Sequence, residues 1–165
     1  MAREKHGIFE VVMNVNFVLL PEAVALSRVE TKHQVLEAVS DLFATAYGVD
    51  AGSICEGLEQ REALGSTGFG RGVAIPHCRS DQVKRPAVVL LKLEQPVDFA
   101  AADSAPVSLV FGLVSPEGAG AAHLHTLAAI SRPTRDEALL QLLLDAPEPD
   151  ALYSVLTNQF LRDAA

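Results

Sequence analysis

Gly65-Ser-Thr-Gly-Phe-Gly-Arg-Gly-Val-Ala-Ile-Pro-His77 reads as a loop, a short strand and a histidine held just beyond it. Gly65, Gly68, Gly70 and Gly72 leave the backbone free to adopt positive φ and let its N–H groups approach an anion closely. Val73, Ala74 and Ile75 have the composition of a short buried strand. Pro76 has no N–H to give a ladder and fixes its own φ, so it ends that strand and sets His77 at its mouth. With the hydroxyls of Ser66 and Thr67, and with Arg61 and Arg71 close in sequence, the segment holds the parts of an anion site beside an imidazole. Such a site suits a phosphoryl acceptor.

The rest of the chain limits what this site can serve. Its 165 residues are enough for one domain with a substantial apolar core and no disulfides or metal. Hydrophobic residues make up 49% and the mean hydropathy is +0.23, which excludes global disorder. A net charge of −8 argues against the phosphate backbone of nucleic acid as a partner. No stretch approaches the ~20 apolar residues that a membrane-spanning helix needs. The apolar residues 8–20 include Glu10, Asn14 and Asn16 and lack a small-residue cleavage site, so no signal peptide is expected. Two cysteines, Cys55 and Cys78, make no disulfide framework, and a cytoplasmic location with reduced thiols is the expectation.

Outward from the loop, residues 9–20 partly alternate and suggest a strand within an N-terminal extension, residues 1–19. Thr31 is placed to cap a helix carrying Val35, Leu36, Val39, Leu42, Phe43 and Ala46 at helical spacing, and Gly48 is placed to stop it. Asp50 is placed to cap a second helix that carries Arg61 and Glu62 toward the loop. Residues 87–93 and 107–114 read as strands apolar enough to be covered on both faces. Residues 94–99 and 103–106 read as turn-rich connections. A helix is expected over 121–131, broken by Pro133, then two more over 135–144 and 150–160, with a short tail at 161–165. Helices before, between and after strands predict an α/β fold: a three-layer α/β/α domain with a central mixed sheet flanked by helices.

The five histidines differ in context. His6 and His33 read as surface residues. His123 and His125 open a helix after a glycine-rich loop, but an i, i+2 pair points to different sides of a helix and does not readily chelate one metal. His123 lies nearer the helix N-terminus, where bound anion is favoured. No Lys-Ser or Lys-Thr follows the glycines, so this is not a P-loop; their spacing does not fit a dinucleotide fingerprint, and Leu64 stands where a nucleophile elbow needs glycine. Neither cysteine has zinc-type spacing, although Cys78 adjoins His77.

The run from Arg61 to His77, with Pro96-Val-Asp-Phe99, the strand at 106–114 and His123-Leu-His-Thr-Leu127, resembles enzyme IIA of the fructose/mannitol/nitrogen type. That family belongs to the bacterial phosphoenolpyruvate-dependent phosphotransferase system. The resemblance spans residues 20–160 and looks closest to the nitrogen-regulatory branch. It implies that His77 is the phosphoryl acceptor, that His123 is a second active-site histidine, and that Arg61 stabilises the phosphate. Ser66, Thr67 and Gly68 are expected to bind phosphate through loop donors. The implied donor is a histidine-phosphorylated carrier protein of the HPr/NPr type, and the implied readers are regulatory target proteins. In the alternative, a transport-type enzyme IIA passes the phosphoryl group to a sugar-specific enzyme IIB. No cofactor and no metal are implied. Cys78-Arg79 departs from the small residues expected after the histidine, and Pro133 interrupts a region where a helix is expected to continue.

Overall fold

The structure, a computed structural model, describes residues 17–164. Strand β1 is Val24–Ser27, after a 3-10 turn at Pro21–Ala23; helix α1 is Lys32–Tyr47 and α2 is Ala51–Ala63. Three short strands follow, β2 (Gly68–Gly70), β3 (Val73–Ala74) and β4 (His77–Arg79), then two long ones, β5 (Ala87–Val97) and β6 (Val107–Ser115). Helix α3 (Ala121–Ser131), a 3-10 turn at Pro133–Arg135, α4 (Glu137–Asp145) and α5 (Pro149–Ala164) complete the chain.

The helix ends are set by local chemistry. The Thr31 hydroxyl accepts from the Gln34 N–H while the Gln34 side chain accepts from the Thr31 N–H, a reciprocal capping box. Gly48 closes α1 in the left-handed region, its N–H donating to Ala44. Asp50 caps α2 by accepting from the Ser53 N–H. Pro133 ends α3, as its sequence position predicts, but the next residues form a 3-10 turn and α4 starts only at Glu137, capped by Asp136. Helix α5 runs past Phe160 to Ala164.

The sheet is mixed, in the order β1-β5-β6-β3-β2, with β4 paired to β6 beyond β3. β5 and β6 are antiparallel, β1 runs parallel to β5, and both β3 and β4 run parallel to β6. Burial is continuous along Ala87–Leu91 and Leu109–Ser115, as expected of strands covered on both faces. Helices α1 and α2 cover one face. On that face Gly112 of β6 leaves room for Val39 and Phe43 of α1, and Cys78 of β4 packs over Gly57 of α2. The alternate residues of β4 and β6 (His77, Arg79, Leu113, Ser115) therefore point to the other face, where α3 lies. This is the three-layer arrangement expected of the sequence.

The strands also differ from expectation, and β1 and β2 form where none is expected. The chain does not leave the sheet at Pro76; it rejoins β6 at once as β4, with unchanged register, Ala74 opposite Val110 and His77 opposite Leu113. β5 continues through Pro96 to Val97, and the missing N–H coincides with a register shift between Lys92 and Val97. Of the strand expected over 9–20, residues 9–16 lie outside the described residues; within 17–20 only Val18 forms an isolated parallel bridge, to Ala87. Phe17 and Leu19 are buried in the core, with Phe17 edge-on to Phe160 of α5 at 5.1 Å.

A Cβ at position 112 would lie 2.7 Å from side-chain carbons of both Val39 and Val89 and 2.8 Å from Phe43. Gly112→Ala is therefore expected to lower stability by about 1–3 kcal/mol through overpacking, read as a reduced urea midpoint at unchanged m-value.

Candidate active site

The site forms at the edge of β4, which pairs with β6 on one side. His77 opens β4 on the α3 face. Its Nδ1 lies 2.8 Å from the Ile75 carbonyl, across Pro76, so Nδ1–H donates there. That bond assigns the neutral tautomer and leaves the Nε2 lone pair outward. Arg61, in the last turn of α2, reaches round the sheet edge and donates Nε–H to His77 Nε2 at 3.3 Å, while its Nη1 donates to the Gly65 carbonyl at 2.8 Å. A cation is well placed at this helix end, which carries the negative pole of the macrodipole.

His123, on the first turn of α3, faces His77 with ring centroids 5.4 Å apart and 54° between planes. It is only 6% exposed, and its Nδ1 lies 2.7 Å from Ser115 Oγ at the end of β6. His125 is exposed, so of the pair it is His123 that the fold brings to His77. His33 is elsewhere, bridging Glu37 of α1 and Glu59 of α2. His6 lies outside the described residues.

Both site histidines are held neutral. Burial lowers the His77 pKa; its bond to Ile75 opposes this, and the Arg61 charge lowers it further. His123 is pushed down to about 4, first by burial and then by proximity to His77 and Arg79. Arg79 sits on β4 two residues after His77 and donates to the Glu117 carbonyl. The Cys78 thiol points to the other face and is raised to about 12 by burial, so it is no nucleophile at neutral pH.

Arg61 and His77 form the shared wall of two concavities. One, of about 350 Å³, is bounded by Gly57, Gln60, Leu64, Arg79 and His123. The other, of about 520 Å³, runs between the glycine loop (Ser66–Phe69) and Leu127, Ala128 and Ser131 of α3. Ser66, Thr67 and Gly68 thus lie beside His77, yet their polar groups turn inward. Ser66 Oγ donates to the Phe99 carbonyl at 2.6 Å and accepts from the Gly68 N–H at 3.0 Å. The Thr67 N–H and hydroxyl both donate to the carboxylate of Glu62. Gly68 is pressed against Ala101, whose Cβ would lie 2.7 Å from a Cβ added at 68.

Glu62 had no role in the sequence reading beyond its place next to Arg61, and it proves to be the fastening of the loop. Its buried carboxylate takes the donors of Thr67 and an ion pair from Lys32 Nζ at 2.6 Å. Lys32 also lies over the Phe99 ring, 4.8 Å from its centroid. A charge this deep needs such partners. Lys32 lies thirty positions upstream, where no local pattern links it to the loop. Ser115, at the end of β6, likewise has no local pattern that links it to His123.

Residues 18–159 match the family described as phosphoenolpyruvate-dependent sugar phosphotransferase system, EIIA 2. A nitrogen regulatory protein of Bradyrhizobium diazoefficiens is 39% identical over 145 residues, which cover 87% of this chain and 95% of the relative. One of Pseudomonas aeruginosa is 43% identical over 129 residues, covering 78% and 84%. The crystal structure of nitrogen regulatory protein IIA-Ntr from Neisseria meningitidis superposes with a TM-score of 0.78 at 31% identity, covering 84% of this chain and 96% of that one. Among the described residues, no helix is long and apolar enough to cross a membrane.

The buried neutral His123 makes stability pH-dependent in a defined direction. Its folded pKa lies below its unfolded value, so the contribution is fully present above pH ~6.5 and is lost as pH falls toward about 4. His123→Gln is expected to flatten the fall in unfolding free energy over that window by up to ~3 kcal/mol, measured by urea unfolding at several pH values. An unchanged slope would mean that the imidazole is not buried neutral.

Proposed function

The chain belongs to the EIIA type 2 family of the phosphoenolpyruvate-dependent sugar phosphotransferase system, and from that premise we propose that it is a cytoplasmic phosphocarrier phosphorylated on His77. The observation that carries this reading is the two-sided bonding of His77: Nδ1 donates to Ile75, and Nε2 presents its lone pair beside Arg61. The donor is a carrier protein of the HPr/NPr type bearing a phosphohistidine. A bond forms between His77 Nε2 and phosphorus as the bond from phosphorus to the carrier's imidazole breaks, and that imidazole leaves with the electron pair. His77 enters neutral with its proton on Nδ1, so no proton need be removed for the transfer to proceed.

Phosphoryl transfer asks a protein mainly for positioning and for stabilisation of charge on the three equatorial oxygens. Arg61 supplies the charge. In the resting site its Nε–H holds the Nε2 lone pair; once phosphorus occupies that position, the planar fork of donors turns to the phosphoryl oxygens. The Ile75 carbonyl stabilises the positive charge that develops on the ring. His123 closes the opposite side, and Ser66, Thr67 and Gly68 form the wall of the phosphate pocket, set in shape by Glu62. Leu64 and Phe69 are exposed at this opening, apolar surface suited to a protein donor rather than a nucleotide.

The names of the relatives favour a regulatory role over transport: partner proteins of a nitrogen-type system read the phosphorylation state of His77. Incubation with phosphoenolpyruvate, enzyme I and the carrier protein should add one acid-labile phosphate by mass, absent from His77→Ala. Labelling of that variant, or none of the wild type, contradicts the assignment. Arg61→Lys is expected to slow transfer by about 100-fold, the scale of losing a positioned charge-stabilising donor, because a point charge cannot replace the fork.

A further inference from the structure

We propose that Ser115 is a positioning residue for phosphoryl transfer: its hydroxyl donates to Nδ1 of His123, which places the single ring proton of that histidine on Nε2, in a ring that packs beside His77. The proposal rests on the phosphocarrier reading for its purpose, but not for its geometry.

The geometry is a matter of counting donors. Ser115 Oγ and His123 Nδ1 are 2.7 Å apart, and that contact is the sole hydrogen bond of the Ser115 hydroxyl among the described residues. Two arrangements satisfy the distance. If His123 Nδ1–H donated, Ser115 would keep its own O–H with no acceptor, at a residue with no exposed surface. A buried donor left unmade costs a large part of its desolvation energy. If Ser115 O–H donates instead, its proton is used, Nδ1 is satisfied as an acceptor, and a neutral ring must carry its hydrogen on Nε2. The second arrangement leaves no buried donor orphaned.

The neutral state that the argument requires is favoured first by burial of His123 and then by its neighbours His77 and Arg79. The two site histidines then have opposite polarity. His77 is locked as an Nδ1–H tautomer by Ile75 and presents a lone pair; His123 is locked as an Nε2–H tautomer by Ser115 and presents a donor. A lone pair attacks phosphorus and an N–H stabilises the phosphoryl oxygen beside it, so the pair is complementary to the group transferred. Register supplies the placement. Ser115 lies two residues beyond Leu113, the partner of His77 in the β4–β6 ladder, so both side chains emerge on one face.

The test is a long-range proton–nitrogen correlation spectrum of the imidazoles in the nitrogen-15-labelled full-length protein at pH 7.5, joined to transfer rates from the phosphorylated carrier. The wild type should show His123 Nε2 in the protonated range and Nδ1 in the hydrogen-bonded, unprotonated range. Ser115→Ala should move the Nδ1 signal out of that range and slow transfer by about 10-fold, the worth of one neutral hydrogen bond. In a His123→Gln background the same change should cost no further rate, because a positioning role exists only through the imidazole. A wild-type spectrum with the proton on Nδ1 overturns the proposal even if every variant fails to fold. So do an Nδ1 signal and a rate left unchanged by Ser115→Ala, or an undiminished loss of rate in the His123→Gln background. A wild type that takes no phosphate while showing the Nε2–H tautomer overturns the phosphocarrier reading instead.

Discussion

The bond from His77 Nδ1–H to the Ile75 carbonyl is the contact around which the site is arranged. It exists because Pro76 interrupts one line of the sheet without ending it. β3 and β4 lie in the same register along β6, and Pro76 keeps its own carbonyl bonded to the Leu113 N–H while Ile75, whose N–H bonds the Thr67 carbonyl, faces away from β6. Its carbonyl therefore lies on the open edge, where no ladder partner competes with the imidazole. The rigid φ of proline fixes the step between β3 and β4. The ring is thus oriented by the main chain two residues before it and by the Arg61 side chain on its other nitrogen.

Electrostatics around the ring follow from keeping one cation apart from a neighbouring ion pair. Arg61 faces outward to His77 and to whatever reaches it, with no carboxylate paired to it among the described residues. Its neighbour on α2, Glu62, turns inward and is neutralised by Lys32 and the donors of Thr67. One helical end therefore presents a cation to His77 through one residue and fastens the glycine loop through the next. Had Glu62 faced the same way as Arg61, the guanidinium would be matched by an internal anion and have little left for phosphate. Burial of both histidines completes the setting by keeping the rings neutral, and hence nucleophilic or donating, at neutral pH.

Much of this was legible in the sequence because it is written locally. The Thr31 cap, the Gly48 stop, the Asp50 cap and the 121–131 helix depend on residues within a few positions of one another, and the structure has them where expected. The α/β layering follows from strands apolar on both faces. The segment from Arg61 to His77 carries the family in a single run. What the sequence hid was carried by distant contacts. Lys32 meets Glu62 only because α1 and α2 pack together. Ser115 meets His123 only through the register of β6. The glycine loop, read as a nest of free N–H donors, spends those of Thr67 and Gly68 on Glu62 and Ser66, because a buried carboxylate competes for the donors an outside anion would use. β4 escaped notice because proline normally signals an end to pairing, and here it signals a pause.

The most direct test of the account is the position of the phosphoryl group on His77, read from the phosphorus–nitrogen couplings and ring nitrogen shifts of the nitrogen-15-labelled phosphoprotein. The Ile75 bond predicts phosphate on Nε2 with the proton retained on Nδ1. Phosphate on Nδ1 would contradict it, since that nitrogen would have had to leave the carbonyl on which the geometry of the site rests.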